Sequence, residues 1–180
     1  MYFLDYFAKW TEKIDKNYKF AFIESVVIFL VIHMYGLTDK FGNNDDMLIS
    51  EGGAGLSSGR WFKNFVCSFS SLWEIPWTTG ILCAIYIGIA VAVVAAIFKL
   101  KNRISISFLA ICMIAFPVVT ATMAYMMTVD SYIFSLMLVC IGVYLILNYR
   151  YGWLFGGIFF AFSLGIYQAY YCVAFPLIVL

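Results

Sequence analysis

The chain has 180 residues, of which 64% are hydrophobic and only 12% are charged. Soluble domains are about half apolar and one quarter charged, so this composition indicates an integral membrane protein. The formal net charge of +1 gives no clustered basic face, which argues against a nucleic-acid partner. Five scattered cysteines form no CxxC pair, so we expect neither a disulfide framework nor a structural metal site.

The first 19 residues interleave charged and aromatic side chains, and they lack the apolar core and cleavage site of a signal peptide. Phe3, Phe7, Trp10 and Ile14 share one helical stripe. This pattern predicts an interfacial helix over 1–19 that lies on the inner leaflet of the membrane.

A helix needs about 20 apolar residues to cross roughly 30 Å of hydrocarbon. We predict five membrane spans of about this length: 20–37, 79–100, 104–127, 131–148 and 153–170. The expected fold is an all-α integral membrane protein, a polytopic transmembrane helix bundle. Since the final apolar run has no polar flank, we interpret 1–180 as one transmembrane domain, the N-terminal part of a longer protein.

Basic residues predict the orientation, because Lys and Arg are retained on the cytoplasmic side. With the N-terminus inside, only Lys40, Arg60 and Lys63 of the 11 basic residues face outward. This orientation leaves 38–78 as a long outer loop. Helical spacing of aromatic residues predicts an amphipathic juxtamembrane helix in this loop, with Trp61, Phe62, Phe65, Val66 and Phe69 on its apolar face and Arg60 and Lys63 on its polar face.

Two adjacent carboxylates, Asp45 and Asp46, follow the first span in the sequence Gly42-Asn43-Asn44-Asp45-Asp46. A turn would contain such residues anyway, because Asn and Asp side chains cap their own backbone. As a functional group, one carboxylate at the membrane surface can serve as the general base that activates a hydroxyl.

Asp130 lies in the short connection between the third and fourth spans, on the same predicted side as Asp45 and Asp46. It can cap the next helix, a task that Ser131 could also perform. Alternatively, the three carboxylates face one outer pocket and position an acceptor. Such a set could also hold a divalent cation, Mg²⁺ or Mn²⁺, although the spacing forms no recognisable metal motif and we assign no metal ligand.

Arg60 and Lys63 are candidate ligands of a lipid phosphate, and a contact with lipid headgroups is the simpler alternative. Tyr167 and Gln168 are candidate substrate contacts near the outer end of the fifth span. An aromatic belt at the membrane surface explains Tyr167 equally well.

Three further features concern helix packing. Glu24 and His33 are ionisable residues within the first span; we interpret Glu24 as reaching the inner interface and His33 as a hydrogen-bonded packing residue. Gly152 and Gly156 have the GxxxG spacing that permits close helix packing.

Taken together, these residues resemble the N-terminal part of the Gtr-type (type II) bacterial O-antigen glucosyltransferases, in the GT-C class of membrane glycosyltransferases. The resemblance is carried by four short motifs: Asn44-Asp45-Asp46, Ser58-Gly59-Arg60-Trp61, Asp130-Ser131-Tyr132 and Gly165-Ile166-Tyr167-Gln168-Ala169.

The resemblance implies a polyprenyl-phosphate sugar donor, a glycan acceptor such as O-antigen, and transfer at the periplasmic face of the bacterial inner membrane. The essential acidic residue of the first outer loop maps to Asp45, with Asp46 as the second choice, and a further acidic position maps to Asp130. Displacement assisted by a single base would invert the anomeric configuration.

Two alternatives stay open from the sequence. A transporter or flippase of lipid-linked sugar would use the acidic residues to bind a coupling ion or its cargo, and such proteins often have broken helices at mid-membrane. A noncatalytic membrane scaffold would use all the aspartates as turn residues.

Overall fold

The computed structural model describes residues 14–38, 58–69 and 75–179. The described helices are α1 (Lys16–Thr38), α2 (Lys63–Cys67), α3 (Pro76–Ile97), α4 (Arg103–Ile114), α5 (Pro117–Thr122), α6 (Val129–Asn148), α7 (Gly152–Leu164), a 3₁₀ helix (Gln168–Tyr170) and α8 (Tyr171–Val179). These ranges contain no strand, so the predicted all-α fold is confirmed. Asp45, Asp46 and most of the predicted interfacial helix 1–19 lie outside the described residues.

In the described part of the chain, three helices are long and apolar enough to cross a membrane: α1, α3 and α6. Their length and composition make the chain a multi-pass membrane protein. The remaining apolar helices, α4, α7 and the 3₁₀ helix with α8, are shorter.

The predicted span 104–127 is divided into two helices. The helix α4 ends at Ile114, Phe116 is extended with φ −61° and ψ 133°, and α5 begins at Pro117. Proline has no N–H to donate and disfavours helical geometry in the residue before it. The break therefore has a local cause in Pro117, which hydropathy alone does not reveal.

The predicted span 153–170 is also interrupted. The helix α7 ends at Leu164, Tyr167 is extended with φ −151° and ψ 110°, and helical structure resumes at Gln168. The linker Gly165–Tyr167 thus lies within the predicted span 153–170 and within the motif Gly165-Ile166-Tyr167-Gln168-Ala169.

Helix α1 packs through a stripe of buried residues spaced four apart: Ala21, Ser25, Phe29, His33 and Leu37. This spacing places them on one face. Near the end of this stripe, the Nε2–H of His33 donates to the carbonyl of Ile114 at 3.3 Å, which confirms His33 as a hydrogen-bonded packing residue. Glu24 instead accepts a 2.6 Å hydrogen bond from Ser107 of α4.

Helices α6 and α7 pack closely through small residues. A Cβ at Gly156 would lie 2.7 Å from the carbonyl oxygen of Gly142, and a Cβ at Gly152 would overlap the carbonyl of Leu145. The predicted role of the GxxxG spacing in close packing is confirmed. Deeper in the interface, the buried hydroxyls of Ser135 and Ser163 lie 2.7 Å apart.

Candidate functional site

One end of the bundle, here called the Arg60 end, is where α1 ends, α3 and α6 begin and α7 ends. Leu37 at the end of α1 packs against Gly80 at the start of α3. Arg60, which precedes α2, contacts Tyr132 in the first turns of α6. The structure therefore brings Arg60, Lys63, Asp130, Tyr167 and Gln168 to the same end, as the predicted topology requires.

The loop that contains Arg60 is docked on the end of α7 through its backbone. The N–H groups of Phe62 and Lys63, at the start of α2, donate to the carbonyl of Gly165 at 2.8 and 3.2 Å. N–H groups at a helix start and carbonyls at a helix end lack partners within their own helices, and their partial charges are opposite. The N–H groups at the start of α2 and the carbonyl at the end of α7 therefore supply each other with hydrogen-bond partners.

Side chains reinforce this docking. The ring of Phe162 on α7 lies 5.7 Å from the ring of Trp61 and 4.7 Å from that of Phe62, measured between centroids. A Cβ at Gly165 would lie 2.7 Å from Cε2 and Nε1 of Trp61, so glycine permits the close approach. These contacts fix the position of the residues just before α2, including Arg60.

Arg60 is held by two tyrosines from distant parts of the chain. Its Nη1 donates to the hydroxyl of Tyr132 at 3.3 Å, and its Cζ lies 5.1 Å from the ring centroid of Tyr167. The two tyrosine rings are themselves 4.6 Å apart. Within the described residues, the guanidinium pairs with no carboxylate.

Gly59 and Gln168 complete this contact between the loop and the linker. Gly59 has a φ of +74°, a left-handed conformation that favours glycine. A Cβ built at Gly59 would lie 3.5 Å from Nε2 of Gln168. Gln168 itself is exposed, so its amide remains accessible at the Arg60 end.

Lys63 is only 5% exposed. Burial lowers the pKa of its ammonium from the ordinary value, and the charge of Arg60 lowers this pKa further, against an opposing effect of Cys67. Lys63 also has no carboxylate partner among the described residues. Arg60 and Lys63 thus form a pair of neighbouring cations whose charge the described part of the chain does not balance.

The predicted faces of the loop helix need a correction at Lys63. We placed Lys63 on the polar, exposed face, but Lys63, Val66 and Cys67 are buried. Trp61, Phe65 and Phe69 are instead 54%, 58% and 67% exposed. The helix packs its Lys63 side on the bundle, and its aromatic side is left for the membrane, where exposed aromatic rings are favourable.

Asp130 lies within the first turn of α6 rather than in a connecting loop. Its side chain is 1% exposed, its Oδ1 accepts a 2.7 Å hydrogen bond from the N–H of Ser131, and its carboxyl group lies near Cys83 and Tyr86 of α3. The positive end of the helix dipole favours a carboxylate at this position. Asp130 is thus directed into the interface of α3 and α6.

Tyr132 is the residue of this site that our sequence reasoning missed. It belongs to the motif Asp130-Ser131-Tyr132, but we assigned it no role. Its position two residues after Asp130 was the available signal, since both fall in the first turns of one helix. Tyr170 extends the aromatic group, with its ring 5.4 Å from that of Tyr167.

The described residues contain no group of three or more His, Cys, Asp or Glu side chains able to hold a metal ion. Asp45 and Asp46 are outside those residues, so their predicted convergence with Asp130 stays a prediction. Among the described side chains, the Arg60 end presents two cations, the phenol hydroxyl of Tyr132 and the exposed amide of Gln168.

The fold and this site define a polytopic α-helical membrane protein with a cationic site at one end of its bundle. Residues 34–180 match the family Glucosyl transferase GtrII, and the chain belongs to this family. The resemblance drawn from the four motifs is thereby confirmed, and the chain is a glycosyltransferase by family. Comparison with curated proteins and with solved structures yields no match.

Proposed function

We propose that this protein transfers glucose from a polyprenyl-phosphate donor to a cell-surface glycan such as O-antigen, with inversion at the anomeric carbon. The observation that carries the proposal is the cation pair of Arg60 and Lys63, which no described carboxylate balances. A phosphate is the anion that such a pair is suited to bind. Family membership supports the sugar and the type of reaction.

The phosphate site has a direct role in this chemistry. As the bond between the sugar C1 and the phosphate oxygen breaks, the sugar becomes oxocarbenium-like and negative charge grows on the leaving phosphate. Arg60 and Lys63 stabilise that charge. Lys63 contributes strongly because its ammonium is already desolvated, and a fixed charge of this kind acts more strongly than one in water.

We assign the general base to Asp45, with Asp46 as the second choice. A hydroxyl of the acceptor is a poor nucleophile until a positioned carboxylate takes its proton. The new bond forms between this oxygen and the sugar C1 as the C1–O bond to phosphate breaks. Attack occurs on the face opposite the leaving group, which inverts the configuration. Asp130 supports the site from the start of α6.

The Arg60 end faces the periplasm in this proposal, and the protein lies in the bacterial inner membrane. The distribution of basic residues supports this orientation, since eight face the cytoplasm when the N-terminus is inside: Lys9, Lys13, Lys16, Lys19, Lys99, Lys101, Arg103 and Arg150. A polyprenyl chain would lie in the bilayer with its phosphate at the membrane surface.

One observation favours the alternative, a transporter or flippase of lipid-linked sugar. Helices interrupted at Ala115–Phe116 and at Gly165–Tyr167 are a feature of transporters. Transporter sites lie near the bilayer midplane, however, whereas the Gly165 linker contacts the loop of Arg60 and Ile114 contacts His33 near the end of α1. Both helix interruptions therefore lie toward the Arg60 end of the bundle, which supports the glucosyltransferase over the transporter.

An assay in membrane vesicles separates these functions. Vesicles that contain the protein would receive polyprenyl-phosphate [¹⁴C]glucose and an acceptor glycan, and both transfer and lipid translocation would be measured. If the protein is a glucosyltransferase, labelled glycan should form, and its formation should require Arg60 and Asp45. Translocation without transfer would support the flippase and overturn the proposal.

A further inference from the structure

The side chain of Arg60 is fixed from two directions. Tyr132 of α6 accepts a hydrogen bond from Nη1, and the ring of Tyr167 in the linker lies under the guanidinium at 5.1 Å. A free arginine side chain samples many rotamers, and ordering it for each binding event has an entropic cost. Contacts that fix it beforehand reduce this cost.

We propose that Tyr132 and Tyr167 are positioning residues that hold the guanidinium of Arg60 in place for the phosphate of the donor. This inference rests on the proposed function and names the means by which the phosphate site is preorganised. It assigns a role to Tyr132 and changes the role expected for Tyr167, from a direct substrate contact to a support of Arg60.

The two tyrosines make different contacts with the guanidinium of Arg60. The Tyr132 hydroxyl uses one of the five N–H groups of the guanidinium, which leaves the others to donate to a phosphate. The Tyr167 ring covers one face of the planar group and sets its plane. The 4.6 Å ring separation between Tyr132 and Tyr167 fixes both tyrosines relative to each other.

The same contacts link the phosphate site to the start of α6. Tyr132 follows Asp130 by two residues in this helix, and Asp130 is buried against α3. Since an α-helix rises 1.5 Å per residue, the two residues are about 3 Å apart along its axis. Arg60 is therefore positioned relative to the helix that carries Asp130, although the two belong to distant segments of the chain.

Phosphate binding tests this inference without relying on sugar transfer. The purified full chain in detergent would be titrated with a polyprenyl phosphate, and polyprenol without phosphate would report binding of the hydrocarbon chain alone. We expect Tyr132→Phe, which keeps the ring and its packing, to weaken phosphate binding about tenfold. Tyr125 lies in the preceding connection, and its hydroxyl has no hydrogen-bond partner among the described residues. Tyr125→Phe should therefore bind phosphate as the unaltered protein does.

Combination with Arg60→Ala distinguishes positioning from a general structural effect. If Tyr132 acts through Arg60, then Tyr132→Phe has no further effect on phosphate affinity once Arg60 is alanine. In transfer assays, Tyr132→Phe should raise the KM for the donor and also lower kcat, because Arg60 stabilises the charge that grows on the leaving phosphate. An equal loss of affinity with and without Arg60 would overturn the inference, as would unchanged phosphate affinity in Tyr132→Phe.

The outcomes for the inference and for the proposed function are separable. Phosphate binding that depends on Arg60 and Tyr132, without any glucose transfer, would support the positioning role and contradict the glucosyltransferase reaction. Glucose transfer with phosphate affinity unchanged by Arg60→Ala would support the reaction and contradict the positioning role.

Discussion

The indole of Trp61 lies against the backbone of Gly165, so closely that a Cβ at Gly165 would be 2.7 Å from Cε2 and Nε1 of the indole. This contact, with the two hydrogen bonds from α2 to the Gly165 carbonyl, joins the predicted outer loop to the end of α7. It explains why glycine begins the motif Gly165-Ile166-Tyr167-Gln168-Ala169.

We therefore predict that Gly165→Ala displaces the loop and impairs phosphate binding. The added methyl must push the rigid indole of Trp61 away, and overpacking of this kind costs about 1–3 kcal/mol. Gly157→Ala on the same helix is the matched control, because no described residue from elsewhere in the fold lies within 4 Å of its Cβ position. Limited proteolysis of the loop would measure the displacement, and equal cleavage of both variants would contradict the prediction.

The substitution Lys63→Met should have two effects: it should stabilise the folded protein, and it should weaken phosphate binding. Methionine fills the same buried space without an unbalanced charge, so we expect a gain of about 1 kcal/mol, or about 2–4 °C in Tm. Loss of the cation should weaken binding of a polyprenyl phosphate about tenfold or more. Lys101→Met changes an exposed lysine and should affect neither property.

The pH dependence of donor binding should report on Lys63. Burial lowers the pKa of Lys63 in the free protein, whereas a bound phosphate favours its protonated form and raises this pKa. Binding therefore takes up a proton, and affinity falls as pH rises through the lowered pKa, below the ordinary 10.5.

A phosphodiester-linked donor carries the same charge throughout that range, so this pH dependence comes from the protein. Titration of Lys63→Met with the same donor provides the control. If this variant shows the same decline in affinity with pH, then another group is responsible.

The serine pair at the interface of α6 and α7 should contribute to stability. The hydroxyls of Ser135 and Ser163 lie 2.7 Å apart, and each hydroxyl oxygen also lies 3.2 Å from the backbone carbonyl oxygen of the other serine. Each hydroxyl has a single proton, so one serine donates to the other hydroxyl and its partner donates to a carbonyl. Each single change to alanine should cost about 1 kcal/mol. Since the two hydroxyls share a hydrogen bond, the double change should cost less than the sum of the single ones. Unfolding in mixed detergent micelles would measure all three.

Sequence reasoning predicted the helical class and the close packing at Gly152 and Gly156. These features follow from hydropathy and small-residue spacing, which act locally. The interruption at Pro117 had a local signal too, but a long apolar run concealed it. The prediction that one helix spans 104–127 gave too much weight to hydropathy.

The burial of Lys63 and the contacts of Tyr132 could not be predicted in the same way. Both depend on how the segment around Arg60 docks on α6 and α7. This docking joins distant parts of the chain, since Arg60 and Tyr132 are 72 residues apart in the sequence. Amphipathic spacing identified two faces of the loop helix, but it does not say which face meets protein and which meets lipid.

The reaction itself is tested most directly by glucose transfer in membranes that contain the protein, with polyprenyl-phosphate [¹⁴C]glucose as donor. We expect Asp45→Asn to reduce kcat by about 10²–10⁴ while donor affinity is kept, since the amide cannot accept the acceptor's proton. Asp15→Asn, near the start of α1 and away from the Arg60 end, should keep full activity. Transfer at the unaltered rate by Asp45→Asn would remove Asp45 from its role as base, and the absence of any transfer by the unaltered protein would contradict the account as a whole.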